Sequence, residues 1–288
     1  NNSLLPQPLD AVPGETVPEG DQCIRVLKEL EGLLEPPEDE EGDEEGDLGE
    51  ARTVAAEGFG KLLLFNRIPT EHAPRLYSKL IRLFFNPSTI NAKRLRQCMS
   101  VFFDVHSSAP GAHPVIAKAF LPILHAAVKF PPRTFTSIGR FLMQMLQNDN
   151  PSSLEEIQAA HCELMHRIAE SLVVSASDKA LKSYTNITCR TLCILKLDGC
   201  QLEDVKKLRL LVDRSLKVVK EKPLQVELRK LAETLLDMDA SPNAGLSDEQ
   251  IEILEHQIDE SKVFVQCVVL DCRHVLTCVH DYRIRWIL

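Results

Sequence analysis

From Thr53 onward, apolar residues return every three or four positions, the period of a helix that buries one stripe and wets the other. Phe59, Leu62, Leu63 and Phe65 mark a first helix, and Leu76, Leu80 and Leu83, flanked by Tyr77, Ile81 and Phe84, give a second a wide apolar face. A third carries Leu95, Cys98, Met99 and Phe102 on one side, and a fourth carries Ile116, Phe120, Ile123, Ala127 and Phe130. Pro131 and Pro132 stop the fourth, because proline lacks the N–H a helix interior needs. Five more helices are expected at about 134–147, 153–173, 178–197, 202–219 and 223–238. Leu224, Leu228, Leu231, Leu235 and Met238 make the last as regular as the fourth. Pro223 suits a first helical position, and Ser153 with Glu156 three residues later reads as a capping box.

Alternate helix starts fall near 53, 91, 133, 176 and 222, so each interval of roughly 40 residues holds two helices. Pairs at that period match HEAT or armadillo units, which stack their neighbours into one continuous core. A bundle or a globin-like domain is also all-α, but neither requires the even spacing. The expected fold class is therefore all-α, a HEAT/armadillo-like α-solenoid of about five helix pairs over 53–240. Residues 241–288 hold one further helix, opened by Ser247-Asp248-Glu249-Gln250, and an atypical apolar tail rich in Val, Cys and His. Residues 1–52 read as a disordered acidic Pro/Gly-rich linker: residues 31–50 hold eleven carboxylates and no Lys or Arg, and six prolines punctuate the segment. Like charges at that density repel and bury too little surface to offset ordering entropy. One short amphipathic piece, Ile24 to Leu34, is a candidate helix within it.

Charge adds what periodicity does not show. The 288 residues carry 33 Lys and Arg against 42 Asp and Glu, a net −9. Residues 1–60 account for −14, whereas residues 61–140 hold 12 basic groups against only Glu71 and Asp104, a net +10. A basic block inside an acidic protein points to a polyanionic partner. Arg75, Lys79 and Arg82 recur at +4 and +3 on the second helix and form one stripe beside its apolar face. On the third helix Lys93 and Arg96 project opposite Leu95, Met99 and Phe102, with Arg94 flanking them. Stacked repeats present equivalent faces to one side, so these six cations are expected to merge into one surface that meets DNA phosphates without reading sequence. The bland alternative is a solvated helical face, but such faces normally mix both signs. Phe84, Phe85, Phe102 and Phe103 fall on or near apolar faces and suit a core better than base stacking.

Other chemistry is excluded by detail. Gly58-Phe59-Gly60-Lys61 has Ala55 at the first glycine position of a phosphate loop and Leu62 at its Ser/Thr position. His161 and His166 are five apart, off the four-residue spacing of a zinc hydrolase helix. Cys267, Cys272, His274, Cys278 and His280 crowd the tail at spacings that fit no common zinc module, so no metal and no cofactor are expected. The nine cysteines are an odd number set mostly in apolar helical patterns, which suits buried thiols in a reducing compartment. The sequon at Asn186 is accordingly a chance match. No run nears the ~20 apolar residues of a membrane span. The first residue is not Met, and we expect a piece of a longer protein.

Three runs carry a family likeness. Arg82-Leu83-Phe84-Phe85-Asn86-Pro87, then Leu95-Arg96-Gln97-Cys98-Met99-Ser100-Val101-Phe102-Phe103, then Ala119-Phe120-Leu121-Pro122-Ile123-Leu124 resemble the C-terminal HEAT domain of the condensin subunit 3 (CAP-G type) family. Ile168-Ala169-Glu170 and the 179–197 helix are similar with less specificity. The likeness spans about Thr53 to Met238; the stretch from Ala240 to Ser261 and the tail fit no pattern of the family. The resemblance implies a non-catalytic subunit, not an enzyme, of an ATP-driven complex for mitotic chromosome condensation. It places such a subunit in the nucleus and on mitotic chromosomes, with a cytoplasmic pool. It implies binding to a kleisin subunit (CAP-H type), through it to the structural-maintenance-of-chromosomes ATPases, and to double-stranded DNA in a basic groove. It implies no membrane and no small-molecule substrate. Family members are longer, so this chain corresponds to their C-terminal part, and its acidic segment looks like an insertion between repeats. Arg75, Lys79, Arg82, Lys93, Arg94 and Arg96 are then the DNA phosphate-binding candidates; the family supplies the groove, and charge geometry supplies the residues. The alternatives are another nuclear HEAT or armadillo adaptor, for transport or phosphatase scaffolding, that binds an acidic peptide, or a zinc enzyme built on the tail. A further expectation is that the acidic run folds back over the basic block as a mimic of phosphate.

Overall fold

The computed structural model describes residues 19–35, 47–148, 154–239 and 246–271, without the side chains of 19–24, 47–48, 248, 264 and 267–271. The tail Cys/His cluster and the capping box at Ser153 lie outside the described residues. Among the described residues the regular structure is helical throughout: α1 (Glu19–Gly32), α2 (Asp47–Leu64), α3 (Ala73–Phe85), α4 (Lys93–Ser107), α5 (Ala112–Ala127), α6 (Pro132–Leu146), α7 (Leu154–Ser175), α8 (Lys182–Ile194), α9 (Leu202–Val218), α10 (Lys222–Met238) and α11 (Asp248–Asp271). Short 3-10 turns at Pro87–Thr89 and Lys179–Leu181 lead into α4 and α8.

The helices form two layers. In one, α3, α5, α7 and α9 pack each on the next; in the other, α2, α4, α6, α8 and α10 do the same, and α5/α6, α7/α8 and α9/α10 pair across. This is the all-α solenoid that the spacing predicts. The stripes read from periodicity are its core: Leu76, Leu80, Leu83, Leu95, Met99, Phe102, Ile116, Phe120, Ile123, Ala127, Leu224, Leu228, Leu231 and Leu235 are all buried. Around Tyr77, edge-on to Phe103 at 5.6 Å, the aromatic rings of α3 and α4 interlock, and the Tyr77 hydroxyl donates to Met145 Sδ of α6 at 3.0 Å. Gly139 lets α6 and α8 approach closely, since a Cβ there would lie 2.7 Å from Cγ2 of Ile187.

Three details depart from the pattern. Phe65 falls one residue past the end of α2 and is 72% exposed, so it is not part of the first helix's core. Beyond α10 the stack is not extended: α11 turns back and lies on α7, touching α5. It is drawn there by burial of Leu254, Ile258 and Val265 and by an ion pair from Arg214 of α9 to Glu255. Ser247 and Gln250 close the start of α11 with a reciprocal capping box, Ser247 N–H to Gln250 Oε1 at 2.9 Å and Gln250 N–H to Ser247 Oγ at 3.3 Å. Finally, part of the acidic segment is folded. Leu27 of α1 packs against the core, Leu34 just past the helix is buried in it, and α2 begins at Asp47, six residues before Thr53.

Candidate functional site

The basic block occupies α3 and α4 and the helices beside them. Leu76, Leu80 and Leu83 anchor α3 inward, which fixes Arg75, Lys79 and Arg82 on its outer flank. The stripe is nevertheless not uniformly open. Glu31 of α1 hydrogen-bonds Arg75 and lies 3.4 Å from Lys79 Nζ, while Glu35, just past α1, lies 3.0 Å from the same ammonium. The Glu31 side chain is only 7% exposed, whereas Arg75 and Lys79 keep 32% and 20%. The buried carboxylate is compensated in charge by two cations and hydrogen-bonded at Oε2 by Arg75, while Oε1 has the Lys79 ammonium near it without a hydrogen bond.

The α4 cations divide similarly. Arg94 forks onto Glu57 of α2, Nε to Oε1 at 3.1 Å and Nη2 to Oε2 at 3.3 Å, with Glu50 at 3.8 Å. Arg96 donates from Nη1 to the Phe84 carbonyl at 2.8 Å and lies 4.7 Å over the Phe84 ring, capping the C-terminal end of α3. Arg82 and Lys93 are exposed and have no ion-pair partner among the described residues. The single merged strip expected from the spacing is thus corrected: four of the six cations are held by protein groups and two are open. Helical spacing fixes the face a cation lies on; the acids that meet it, Glu31, Glu35, Glu50 and Glu57, come from outside the 61–140 block. Of the acidic run at 31–50, Glu31 and Glu35 meet Arg75 and Lys79 and Glu50 lies near Arg94, while residues 36–46 lie outside the described residues.

Outside α3 and α4, α6 carries a further exposed cation, Arg140. Phe141 of α6 stacks with Phe84 at 5.9 Å and meets Phe85 edge-on at 5.4 Å, which brings α6 and its exposed Arg140 alongside the end of α3 that carries Arg82. Arg133 and Arg140, seven apart on α6, were the signal available in the sequence.

A second polar cluster lies between α5, α7 and α11, where His125, Arg167, Glu170, Ser171 and Ser261 line a small cavity with Leu121, Pro122 and Val265. Burial pushes the Glu170 carboxyl up to about 7, against the pull of Arg167 and of a hydrogen bond from Ser261, with Glu260 adding to the rise. Burial, then Arg167, pulls His125 down to about 3. Ser171 and Tyr184 share a hydrogen bond of 2.6 Å. This cluster joins α11 to the solenoid. Of the two histidines considered for zinc, the buried His161 accepts the Lys196 N–H at Nδ1, 3.2 Å away. Among the described residues no group of three or more His, Cys, Asp and Glu is placed to hold a metal, and no helix is long and apolar enough to cross a membrane.

Comparison with known proteins gives the family. A family model described as nuclear condensing complex subunits, C-terminal domain, matches residues 16–197, starting within the acidic segment and ending before α9. Condensin complex subunit 3 of Homo sapiens is 26% identical over 200 residues, 65% of this chain and 19% of that protein. The Xenopus laevis protein of the same name is 27% identical over 184 residues, 56% of this chain and 17% of its own length. The matched region therefore spans less than a fifth of these relatives. The runs around Phe84, Phe102 and Phe120 that carry the likeness are the same runs that build the α3–α5 core, and this chain belongs to the condensin subunit 3 family of HEAT-repeat complex subunits, a family of subunits and not of enzymes.

Proposed function

We propose that this chain is the part of a condensin subunit that meets the phosphates of double-stranded DNA through the α3–α4 surface and holds a kleisin segment of CAP-H type. Through the kleisin it is coupled to the structural-maintenance-of-chromosomes ATPases, in the nucleus and on mitotic chromosomes, and ATP hydrolysis belongs to those partners. The observation that carries the DNA reading is the pair of exposed, unpaired cations Arg82 and Lys93 in a block of net +10. Arg75, Lys79, Arg94 and Arg96 add to the local potential while bound to protein groups, and Arg140 extends the surface. In domain terms we take 53–240 as the working solenoid, 1–52 as an acidic linker region that contains α1 and the start of α2, and 241–288 as an appended segment. The kleisin reading rests on the family likeness.

Replacing Arg82 and Lys93 together by Glu tests the reading. Removing two phosphate contacts reduces the log–log salt slope of duplex binding by about 2 and weakens binding of all duplex sequences alike. Anisotropy titrations of the full chain at several salt concentrations measure this, with helical circular dichroism as the folding control. Unchanged affinity and slope refute the DNA role of this face. A second reading, an adaptor for an acidic peptide, is favoured by the seating of α1 itself. A peptide of the α1 sequence that displaces kleisin but not DNA supports it.

A further inference from the structure

We propose that α1 is a built-in occupant of the DNA-binding surface: seated, it withholds Arg75 and Lys79 from phosphate, and when it lifts, both join Arg82 in one continuous row. This rests on the reading of Arg82 and Lys93 as phosphate contacts and adds to it a control by the protein's own acidic helix.

The three cations occupy i, i+4 and i+7 of α3, so they lie on one flank over about 10 Å of helix axis. Arg82 at one end is open, while Arg75 and Lys79 are closed by Glu31 and Glu35. A carboxylate that engages two cations occupies the position and charge of a phosphate oxygen pair, so α1 and a DNA backbone cannot both be seated there. The attachment of α1 is slight. Leu27, Lys28 and Glu31 line a small cavity with Phe59, Ile68, His72, Arg75 and Leu76, and Leu34 is buried just beyond the helix end. Val26, Leu30 and Leu33 keep 54%, 42% and 37% of their surface exposed, so much of the apolar surface described for this segment stays in water when it is docked. A 14-residue helix is marginal on its own, and ion pairs to partly exposed cations hold weakly. An array of phosphates, meeting Arg82 first, is a stronger counter-charge than two carboxylates. The seven carboxylates at 38–45, next in the chain, keep a high negative charge tethered to the helix that must move.

The test compares the full 288-residue chain with its Glu31→Gln/Glu35→Gln variant, both near-isosteric changes that keep the leucine contacts. The variant is expected to bind duplex DNA roughly three- to tenfold more tightly at low salt, with a log–log slope steeper by about one to two. Substituting Arg75 and Lys79 by Gln should weaken binding strongly in the Glu31→Gln/Glu35→Gln background and little in the parent chain. In the parent chain, saturating DNA should speed amide exchange across Val26–Leu34. If the Glu variant binds as the parent does while Arg82→Glu/Lys93→Glu weakens binding, the occupant role of α1 is overturned and the surface reading stands. If neither changes affinity, the surface reading fails and takes this one with it. Equal weakening by the Arg75/Lys79 substitutions in both backgrounds also overturns the proposal, since those cations would already be in use.

Discussion

Replacing Glu170 by Gln should change how the stability of this protein depends on pH, and the size of the change follows from its surroundings. Glu170 is 6% exposed beneath α11, and burial raises its carboxyl to about 7 from an ordinary 4.5. The folded state therefore holds this proton more tightly than the unfolded chain does. The stability so contributed is complete below pH 4.5 and is lost as pH rises through about 7. Integrated over both protonation equilibria, wild type loses about 2–3 kcal/mol between pH 5 and pH 8 from this group. The Gln side chain is neutral throughout and keeps the shape of the protonated acid. The two proteins should match near pH 3, and the gap in the variant's favour should be about 1 kcal/mol at pH 5 and about 3 kcal/mol at pH 8. Burial lowers His106 to about 4, with help from His113, and His125 to about 3. Those groups act in the opposite sense, stabilising above the ordinary histidine value and failing on acidification, but they are common to both proteins and cancel in the difference. Urea titrations of both proteins at unit pH steps provide the measurement. Curves that stay parallel from pH 5 to pH 8 would show that Glu170 is not held neutral beneath α11.

Two other substitutions probe the packing. Gly139→Ala places a methyl 2.7–2.9 Å from three side-chain carbons of Ile187, and overpacking should cost about 1–3 kcal/mol despite alanine's better helix propensity. Adding Ile187→Ala should relieve part of that cost, so strict additivity in denaturant titrations would refute the close approach. Tyr184→Phe strands the Ser171 hydroxyl and should cost about 1–2 kcal/mol, largely recovered when Ser171→Ala removes the partner as well. No recovery in the double variant would mean that the hydroxyl pair is not the source of the loss.

The layered helices were legible in the sequence because each had one dominant period. Ile116, Phe120, Ile123 and Ala127 repeat at +4, +3 and +4 and are fully buried in α5, and Leu224 through Leu235 behave alike in α10. Where the period weakens, sequence reasoning slipped: Phe65 continues the apolar count but not the helix, and Met238, at the last turn of α10, is 37% exposed. The return of α11 onto α7 was not legible. Its apolar positions declare a buried stripe, but nothing in their spacing says which earlier helix receives it. The candidate site was half legible for a related reason. Arg75, Lys79 and Arg82 do share a flank, yet the counter-charges of Arg75 and Lys79 lie some forty residues upstream, and no local window pairs Arg75 with Glu31 or Arg94 with Glu57.

The return of α11 also sets a timetable for biosynthesis. From α3 to α10 each helix finds its neighbours within the next one or two repeats, so the stack can consolidate as it emerges. The face of α7 that receives α11 cannot, because about a hundred residues separate the end of one helix from the end of the other. At ~5–20 residues per second that face waits roughly 5–20 s on the ribosome with apolar surface and a buried-to-be carboxylate in water. The interval makes the α7 face the natural point of engagement for a nascent-chain chaperone, and makes chains that stop before Leu254 the ones most prone to associate.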